Sequence, residues 1–438
     1  MRSHHGCDPG NRSHSGRVRS VIKNPDRALE LAVLTDQSFS SLPRLAITPE
    51  GSTEPMKKLH VICFLFDPIT GGPTIRARAV YERMIADGYE VRVAFPLGEG
   101  SAAGYIAESG IPVDRLMVRK PVPPSKPGPF LKFAFQLPLA LWRTVRYLKQ
   151  HKPDVIHVNG AFDIGPALAG RIAGVPVVWH LNDTIFSKRF SRLLGVFVKR
   201  TAMVVVAAAE RVAEHYGVSG GHTVVIHAPV NVERFTRRDP DSFPRAEPVL
   251  GLLGNWNWVK GQDRFVETIQ RLRDAGSPVR GRAMGKFPDS QKAFWEPVLA
   301  TIEASGLEEV IERPGFVENT AAALRDIDIL LLTSHSEASP ICVHEAMSIG
   351  IPQVVFDVGG VREMLGDGDR AAGMIVPEGD VGAMTAAVER LLADASLYAR
   401  MALNGQKRAR AYFSLEACIA RHEAAYADAV SRYAKKRA

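Results

Sequence analysis

Two glutamates, Glu337 and Glu345, stand eight positions apart in SHSEASPICVHEAMSIGIPQVVFDVGG. The residues around them predict how they are held. The apolar run from Ile327 to Ser334 suits a buried parallel strand, and a binding loop begins where such a strand ends. Ser339 and Pro340 read as the N-cap and first residue of a helix that Gly350 and Pro352 stop. A helix N-terminus presents unpaired amide donors and a partial positive charge, which suits a pyrophosphate. Glu337 falls just before that end. Glu345 falls about one and a half turns inside, its Cβ tilted back toward the N-terminus, so its carboxylate could accept from ribose hydroxyls beside the phosphates. On an ordinary surface helix the same pair would be solvated charges.

Other acids nearby do not form a metal motif. Asp326-Ile327-Asp328 opens the buried strand, where Asp326 reads as a loop residue, and Asp367-Gly368-Asp369 is a turn sequence. His344-Glu345 fails as a zinc motif because position 348 is serine where a second histidine is needed.

The order strand, loop, Pro340, Glu345-Ala346-Met347, Gly350, Pro352, strand, Gly359-Gly360 resembles the donor-binding signature of retaining glycosyltransferases of family 4. The resemblance extends along most of the chain from about Lys57. It implies an α/β protein of the GT-B fold, two Rossmann-like domains facing across a cleft, that moves a sugar from a nucleotide-diphosphate sugar with retention of configuration. It also implies no cofactor and no metal, because a helix dipole and basic residues stabilise the leaving diphosphate.

Particular residues carry the match. Lys260 in GNWNWVKG corresponds to the lysine of the family's Arg and Lys, five apart, that bind the donor pyrophosphate; the arginine's place is taken by Asn255, one fixed charge fewer. Gly71 and Gly72 match the glycine loop that faces donor phosphates and acceptor, where a bare backbone lets a ligand approach. His180 in VPVVWHLND matches a strand-end histidine that touches the donor sugar, while His157 in DVIHVNG is expected to be structural. On this resemblance Lys260 and the amides near Ile341 and Cys342 hold the diphosphate, Glu345 the ribose and Glu337 the sugar hydroxyls, with His180 reaching the sugar from the opposite domain. Trp256 and Trp258 either wall the cleft or pack the loop.

Positioning these residues requires alternating strands and helices. From Met56 the chain gives them: HVICFLF, the Gly71-Gly72 loop and the helix TIRARAVYERMIADG, then strands VRVAFPL, DVIHVNG, VPVVWHL and AMVVVAAA. The proline-bearing stretch Thr236 to Pro248 interrupts the pattern as an interdomain linker, after which VLGLLGNW and KGQDRFVETIQRLRDAG restart it. Open α/β sheets bind ligands outside the carboxyl ends of their strands, so two such domains predict a cleft. The expected organisation is a disordered extension over 1–55, an acceptor domain over 56–240, a nucleotide-sugar donor domain over 241–415, and a helix over 416–438 packing back on the first domain. The polar first segment, MRSHHGCDPGNRSHSGRVRS, is either a gene-model extension upstream of a start at Met56 or a genuine flexible tail.

Composition sets the outer limits. The 438 residues suffice for two or three domains, and 23% charged with 46% apolar residues describes an ordinary soluble protein. No apolar run reaches the length of a membrane span, and no signal segment opens the chain. Cys7, Cys63, Cys342 and Cys418 are dispersed, which fits a reducing cytoplasm. A net charge of +8 and a pI near 9.3 favour an anionic partner, nucleotide, phospholipid or nucleic acid, without choosing among them. Two stretches interleave apolar with basic residues: PVPPSKPGPFLKFAFQLPLALWRTVRYLKQHK, with Lys132, Arg143, Arg146 and Lys149, and SKRFSRLLGVFVKR, with Lys188, Arg189, Arg192, Lys199 and Arg200. They suit either peripheral contact with an anionic membrane carrying a lipid-linked acceptor or core-facing helices with solvated basic faces.

The expected protein is therefore a retaining glycosyltransferase acting on a glycan or lipid-linked glycan in cell-surface polysaccharide or lipopolysaccharide synthesis, cytoplasmic or at the inner membrane face, with no specific nucleic-acid partner. The alternative, kept open by Asn255, is a non-catalytic binder of nucleotide sugars or polyanions with the same fold.

Overall fold

A computed structural model describes residues 58–117, 127–184, 186–235 and 245–437, without side chains at 127 and 129–134. The expected extension 1–55 with its start at Met56, most of the proline-bearing linker and the boundary at 240/241 lie outside the described residues.

Buried apolar runs build two parallel sheets. In the first, β1 (His60–Leu65), β2 (Glu90–Pro96), β3 (Val113–Leu116), β4 (Val155–Asn159), β5 (Val177–Leu181), β6 (Val204–Ala207) and β7 (Thr223–Val225) lie in the order β3-β2-β1-β4-β5-β6-β7. Such strands are covered on both faces, so VVWHL and VVVA are buried at every position. Helices α1 (Gly72–Ala86) and α2 (Ser101–Ala107) cover one face; α3 (Pro127–His151), α4 (Ile164–Ala173), α5 (Lys188–Thr201) and α6 (Glu210–Tyr216) cover the other.

The second sheet comprises β8 (Val249–Leu253), β9 (Arg280–Met284), β10 (Ile311–Gly315), β11 (Ile329–Leu332), β12 (Gln353–Phe356) and β13 (Gly373–Val376), ordered β10-β9-β8-β11-β12-β13. Its helices are α7 (Gln262–Asp274), α8 (Lys292–Ala304), α9 (Thr320–Arg325), α10 (Ile341–Ile349), α11 (Val361–Leu365), α12 (Val381–Ala393) and α13 (Ala395–Arg408). Helix α14 (Leu415–Arg437) then returns to the first sheet, where Cys418, Ile419, Ala425, Tyr426 and Ala429 share a core with Ala77, Val80, Tyr81 and Met84 of α1.

Both sheets reverse their strand order at one point, between β1 and β4 and between β8 and β11. The helices after neighbouring strands leave to opposite sides there and open a crevice. The segments after β1, β8 and β11 carry Gly71, Gly72, Asn255, Lys260 and Glu337. Among the described residues no helix is long and apolar enough to cross a membrane.

Two local expectations are corrected. Helix α10 begins at Ile341, with Pro340 as the residue before it (φ −68°, ψ 116°), so Ser339 is not the N-cap. Its hydroxyl instead accepts from the Ala228 amide of the first half at 3.3 Å, a tertiary partner that competes with capping. The pair Gly71-Gly72 is not a loop ahead of a helix from Thr74 but the start of α1 itself: the Gly71 carbonyl accepts from the amides of Thr74 and Ile75, both at 3.0 Å.

Candidate active site

The loop after β8 and the loop after β11 are built as one piece. Asn257 accepts from the Lys260 amide at 3.1 Å, Thr333 donates to the Lys260 carbonyl at 3.1 Å, and the His335 amide donates to the Val259 carbonyl at 2.8 Å. These bonds aim the Lys260 side chain across Gly254, where a Cβ would come within 3.0 Å of its Cδ. Lys260 Nζ donates to Glu337 Oε1 at 2.6 Å, and Ser334 Oγ donates to the same oxygen at 2.8 Å. Burial opposes the ammonium's charge, but Glu337 outweighs it and holds the Lys260 pKa above its ordinary value. Gly359 secures the turn from behind: at φ +55° it packs so closely that a Cβ would lie 1.7 Å from the Glu337 carbonyl oxygen.

Glu337 and Lys260 are thus brought together, beside the start of α10, with Ile341 half-buried and Cys342 buried at its first positions. One turn further, Glu345 accepts from Thr320 Oγ1 at 3.3 Å. Burial pushes its carboxyl up to about 7, against the opposing pull of Thr320 and of Arg234. Asn255 lies in the same loop system, but its Oδ1 accepts from the Lys286 amide at 3.1 Å, so the side chain is occupied in joining the loops after β8 and β9. Trp256 does not wall the cleft. It is fully buried and stacks on Phe287 at 4.6 Å, whereas Trp258 is exposed and stacks on His335 at 4.1 Å.

The first half contributes a buried hydrogen-bonded chain. His157, at 1% exposure, lies against the hydroxyls of Tyr81 and Tyr426, each 2.7 Å from its Nδ1, and stacks on His180 with ring centroids 5.3 Å apart. His180 is fully buried in this conformation, and its Nε2 accepts from Arg76 Nη1 at 2.8 Å. Burial, reinforced by Arg76 and the neighbouring histidines, pulls its pKa far down, so it is a neutral acceptor. In this conformation the residue beside the cavity is Arg76, not His180.

Sequence reasoning missed Arg76. Its signal was a lone charge in the buried stripe of α1, with Ala77, Val80, Tyr81 and Met84, where charged residues are rarely found. The cavity it lines, about 220 Å³, also receives Ile75, Arg78, Arg234, Ile341 and Glu345, so both halves of the chain meet there. The two Asp-x-Asp matches have structural roles. Buried Asp328 accepts from the Val249 amide at 2.8 Å, Asp326 pairs with Arg282 at 2.8 Å, and Gly368–Arg370 form a single turn.

Comparison with known proteins places this arrangement. Residues 70–234 match the family model described as Glycosyltransferase Family 4, and residues 247–394 match Glycosyl transferases group 1. The lipopolysaccharide core biosynthesis mannosyltransferase LpsB of Rhizobium meliloti is 28% identical over 233 residues, 50% of this chain and 64% of that one. The chain thus spans less than two thirds of that relative's length. The 2-deoxystreptamine glucosyltransferase of Streptomyces kanamyceticus is 30% identical over 293 residues, 59% of this chain and 73% of that one. The crystal structure of Anabaena Alr3699/HepE in complex with UDP shares the fold, with a TM-score of 0.71 at 18% identity over 83% of this chain and 98% of the other. By these matches, joined to two parallel sheets meeting at their switch points, the chain belongs to glycosyltransferase family 4 and has its GT-B fold.

Proposed function

We propose that the protein transfers a sugar from a nucleotide-diphosphate sugar to a hydroxyl of a glycan or lipid-linked glycan, with retention and without a metal. The observation that carries this reading is the meeting of the two switch points. Ile341 and Glu345 at the start of α10 line the same cavity as Ile75 and Arg76, just after Gly71-Gly72. In the reaction the bond from the anomeric carbon to the diphosphate oxygen breaks, and its electron pair leaves with the diphosphate. The acceptor oxygen bonds to the same face of that carbon, and its proton passes to the leaving diphosphate. Lys260 and the α10 amides meet the negative charge that develops, Glu337 orients sugar hydroxyls and Glu345 the ribose.

UDP bound to the Anabaena structure supports trying UDP-sugars first, and the Rhizobium relative's place in lipopolysaccharide core synthesis supports a cell-surface glycan. Peripheral contact with the inner face of a membrane is supported by α3 and α5, which expose Phe135, Trp142 and Leu193 among basic residues. Assaying UDP-, GDP- and ADP-sugars with and without chelator, and reading the product anomer, tests the whole. A product of inverted configuration would overturn retention, and loss of activity on chelation the metal-free mechanism. A second reading, binding without turnover, is favoured by one observation: Asn255, where the family places a phosphate-binding arginine, is tied to Lys286. Nucleotide binding with no turnover of any donor would select it.

A further inference from the structure

Arg76 is a guanidinium held inside the protein by neutral groups. It is 5% exposed, and its Nη1 donates to His180 Nε2 at 2.8 Å and to Asn182 Oδ1 at 2.9 Å, while Nη2 donates to Asn159 Oδ1 at 2.8 Å. None of these acceptors is a carboxylate. The acid next along the chain of bonds, Asp163, is bound to the Asn159 amide rather than to the guanidinium. A guanidinium has five N–H donors, so this set leaves Nε–H and one Nη2–H without a hydrogen bond to the described residues. Burial is the leading influence on its pKa, downward, and the largest opposing influences are Cys418, Tyr81, Cys63 and Tyr426, again not carboxylates.

A buried charge is ordinarily paired. Here the surroundings fix the orientation of the fork instead. Because His180 Nε2 accepts from Arg76, its proton sits on Nδ1, which faces His157 Nε2 at 3.3 Å, and the chain ends on Tyr81 and Tyr426. The fork opens beside the cavity that also holds Ile341, the first residue of the nine-residue helix α10. In the second half Asn255 stands in place of the expected arginine, and Lys260 is engaged with Glu337.

We propose that Arg76 binds the diphosphate of the donor from the opposite domain, supplying the cation absent at Asn255, and that His180 positions it. This rests on the donor-site reading above. A planar fork on preset neutral acceptors reaches phosphate oxygens with little further ordering, and it closes the two halves around the ligand. An anionic acceptor, such as a uronate or a phosphorylated glycan, is the rival occupant.

The test compares wild type, Arg76→Gln, Arg76→Lys and His180→Gln by calorimetric titration with UDP, GDP and ADP and with the matching nucleosides, alongside thermal unfolding. Arg76→Gln is expected to weaken the preferred nucleoside diphosphate by about 10- to 100-fold while the nucleoside's affinity stays within about twofold. Arg76→Lys should fall between, and His180→Gln should lower the diphosphate-to-nucleoside affinity ratio, which loss of packing alone would leave unchanged. An unchanged ratio in Arg76→Gln overturns the proposal and leaves the anionic acceptor as the occupant. If wild type binds no nucleoside diphosphate, the donor-site reading itself fails, a separate result. Should Arg76→Gln not fold, a crystal structure of wild type with the diphosphate decides: a guanidinium nitrogen within hydrogen-bond distance of a phosphate oxygen supports the proposal, and its absence there refutes it.

Discussion

The two halves share one winding pattern and differ in what they do with charge and with apolar surface. At the switch point of the second half, Lys260 and Glu337 are paired at 2.6 Å and braced by Ser334 and Asn257. In the first half the charge is Arg76, held by His180, Asn159 and Asn182 with no acid among its hydrogen-bond partners. The outer surfaces diverge as well. Phe135, Leu137, Leu139, Trp142, Phe190, Leu193 and Val196 project from α3 and α5, whereas the second half exposes only Trp258, Val259, Phe316 and Leu403 among large apolar side chains of the described residues. Two similar scaffolds thus differ by a few side chains, one with a paired lysine and glutamate at its switch point and the other with a buried arginine on neutral acceptors and an exposed apolar face.

The sharpest break in that comparison is Lys260→Met. It should lower kcat/KM by about 10²–10³-fold, as removal of a preorganised charge does, and destabilise the fold by about 1–3 kcal/mol, a buried-pair loss discounted for the 26% exposure of the lysine side chain. Adding Glu337→Gln should restore stability without restoring activity; steady-state kinetics and denaturant melts read both. Activity within threefold of wild type would mean the pair is only structural.

The glycines give the next contrast. Gly359→Ala forces a Cβ against the Glu337 carbonyl at φ +55° and should destabilise by about 1–3 kcal/mol. Gly71, with φ −144° and only Pro73 Cδ within 4.0 Å of a Cβ, should accept alanine within about 0.5 kcal/mol. A loss of donor affinity in Gly71→Ala at unchanged melting temperature would show that ligand approach, not folding, requires that glycine.

A smaller effect separates the surfaces. Phe135→Ser with Leu193→Ser should reduce partition onto anionic vesicles by about tenfold with little change in stability, while Leu403→Ser in the second half changes neither. Equal partition by both variants in a sedimentation assay would show that the exposed apolar face does not bind membrane.

The smallest expected effect concerns Glu345. Its folded pKa, about 7, is raised above the ordinary carboxyl value, so its contribution to stability is fully present below about pH 4.5 and is lost as pH rises through 7. Ligand affinity runs the opposite way, because the ionised carboxylate is the stronger acceptor for ribose hydroxyls. Affinity for a nucleotide sugar should therefore rise a few-fold, on the order of a pKa unit's worth or less, between pH 6 and 8, and Glu345→Gln should flatten the profile. A nucleotide sugar's diphosphate diester does not titrate in that range, so titration calorimetry reads the protein alone.

The amino-acid sequence made the scaffold legible. The apolar run around Ile329–Leu332, the stop at Gly350 with its φ of +87°, and the restart of the pattern at Val249 all recur in three dimensions, because strand burial and helix termination are local properties of the chain. Helix starts were less legible where a distant group competes, as Ala228 does for Ser339.

What the sequence determined by itself is the family, through the resemblance of its motifs, and the two wound sheets with Glu337, Glu345 and Lys260 placed after strands, which follow from residue order and periodicity. Tertiary structure alone decided which side chain faces the cavity. His180 and Trp256 stand at positions that read as lining a cleft, yet both are fully buried, while Arg76, inside a helical apolar stripe, stands at the meeting of the halves. The reason is physical: exposure and pairing of a polar group depend on residues brought in from β4, β5 and α14, more than eighty positions away in sequence, and no local pattern carries that information.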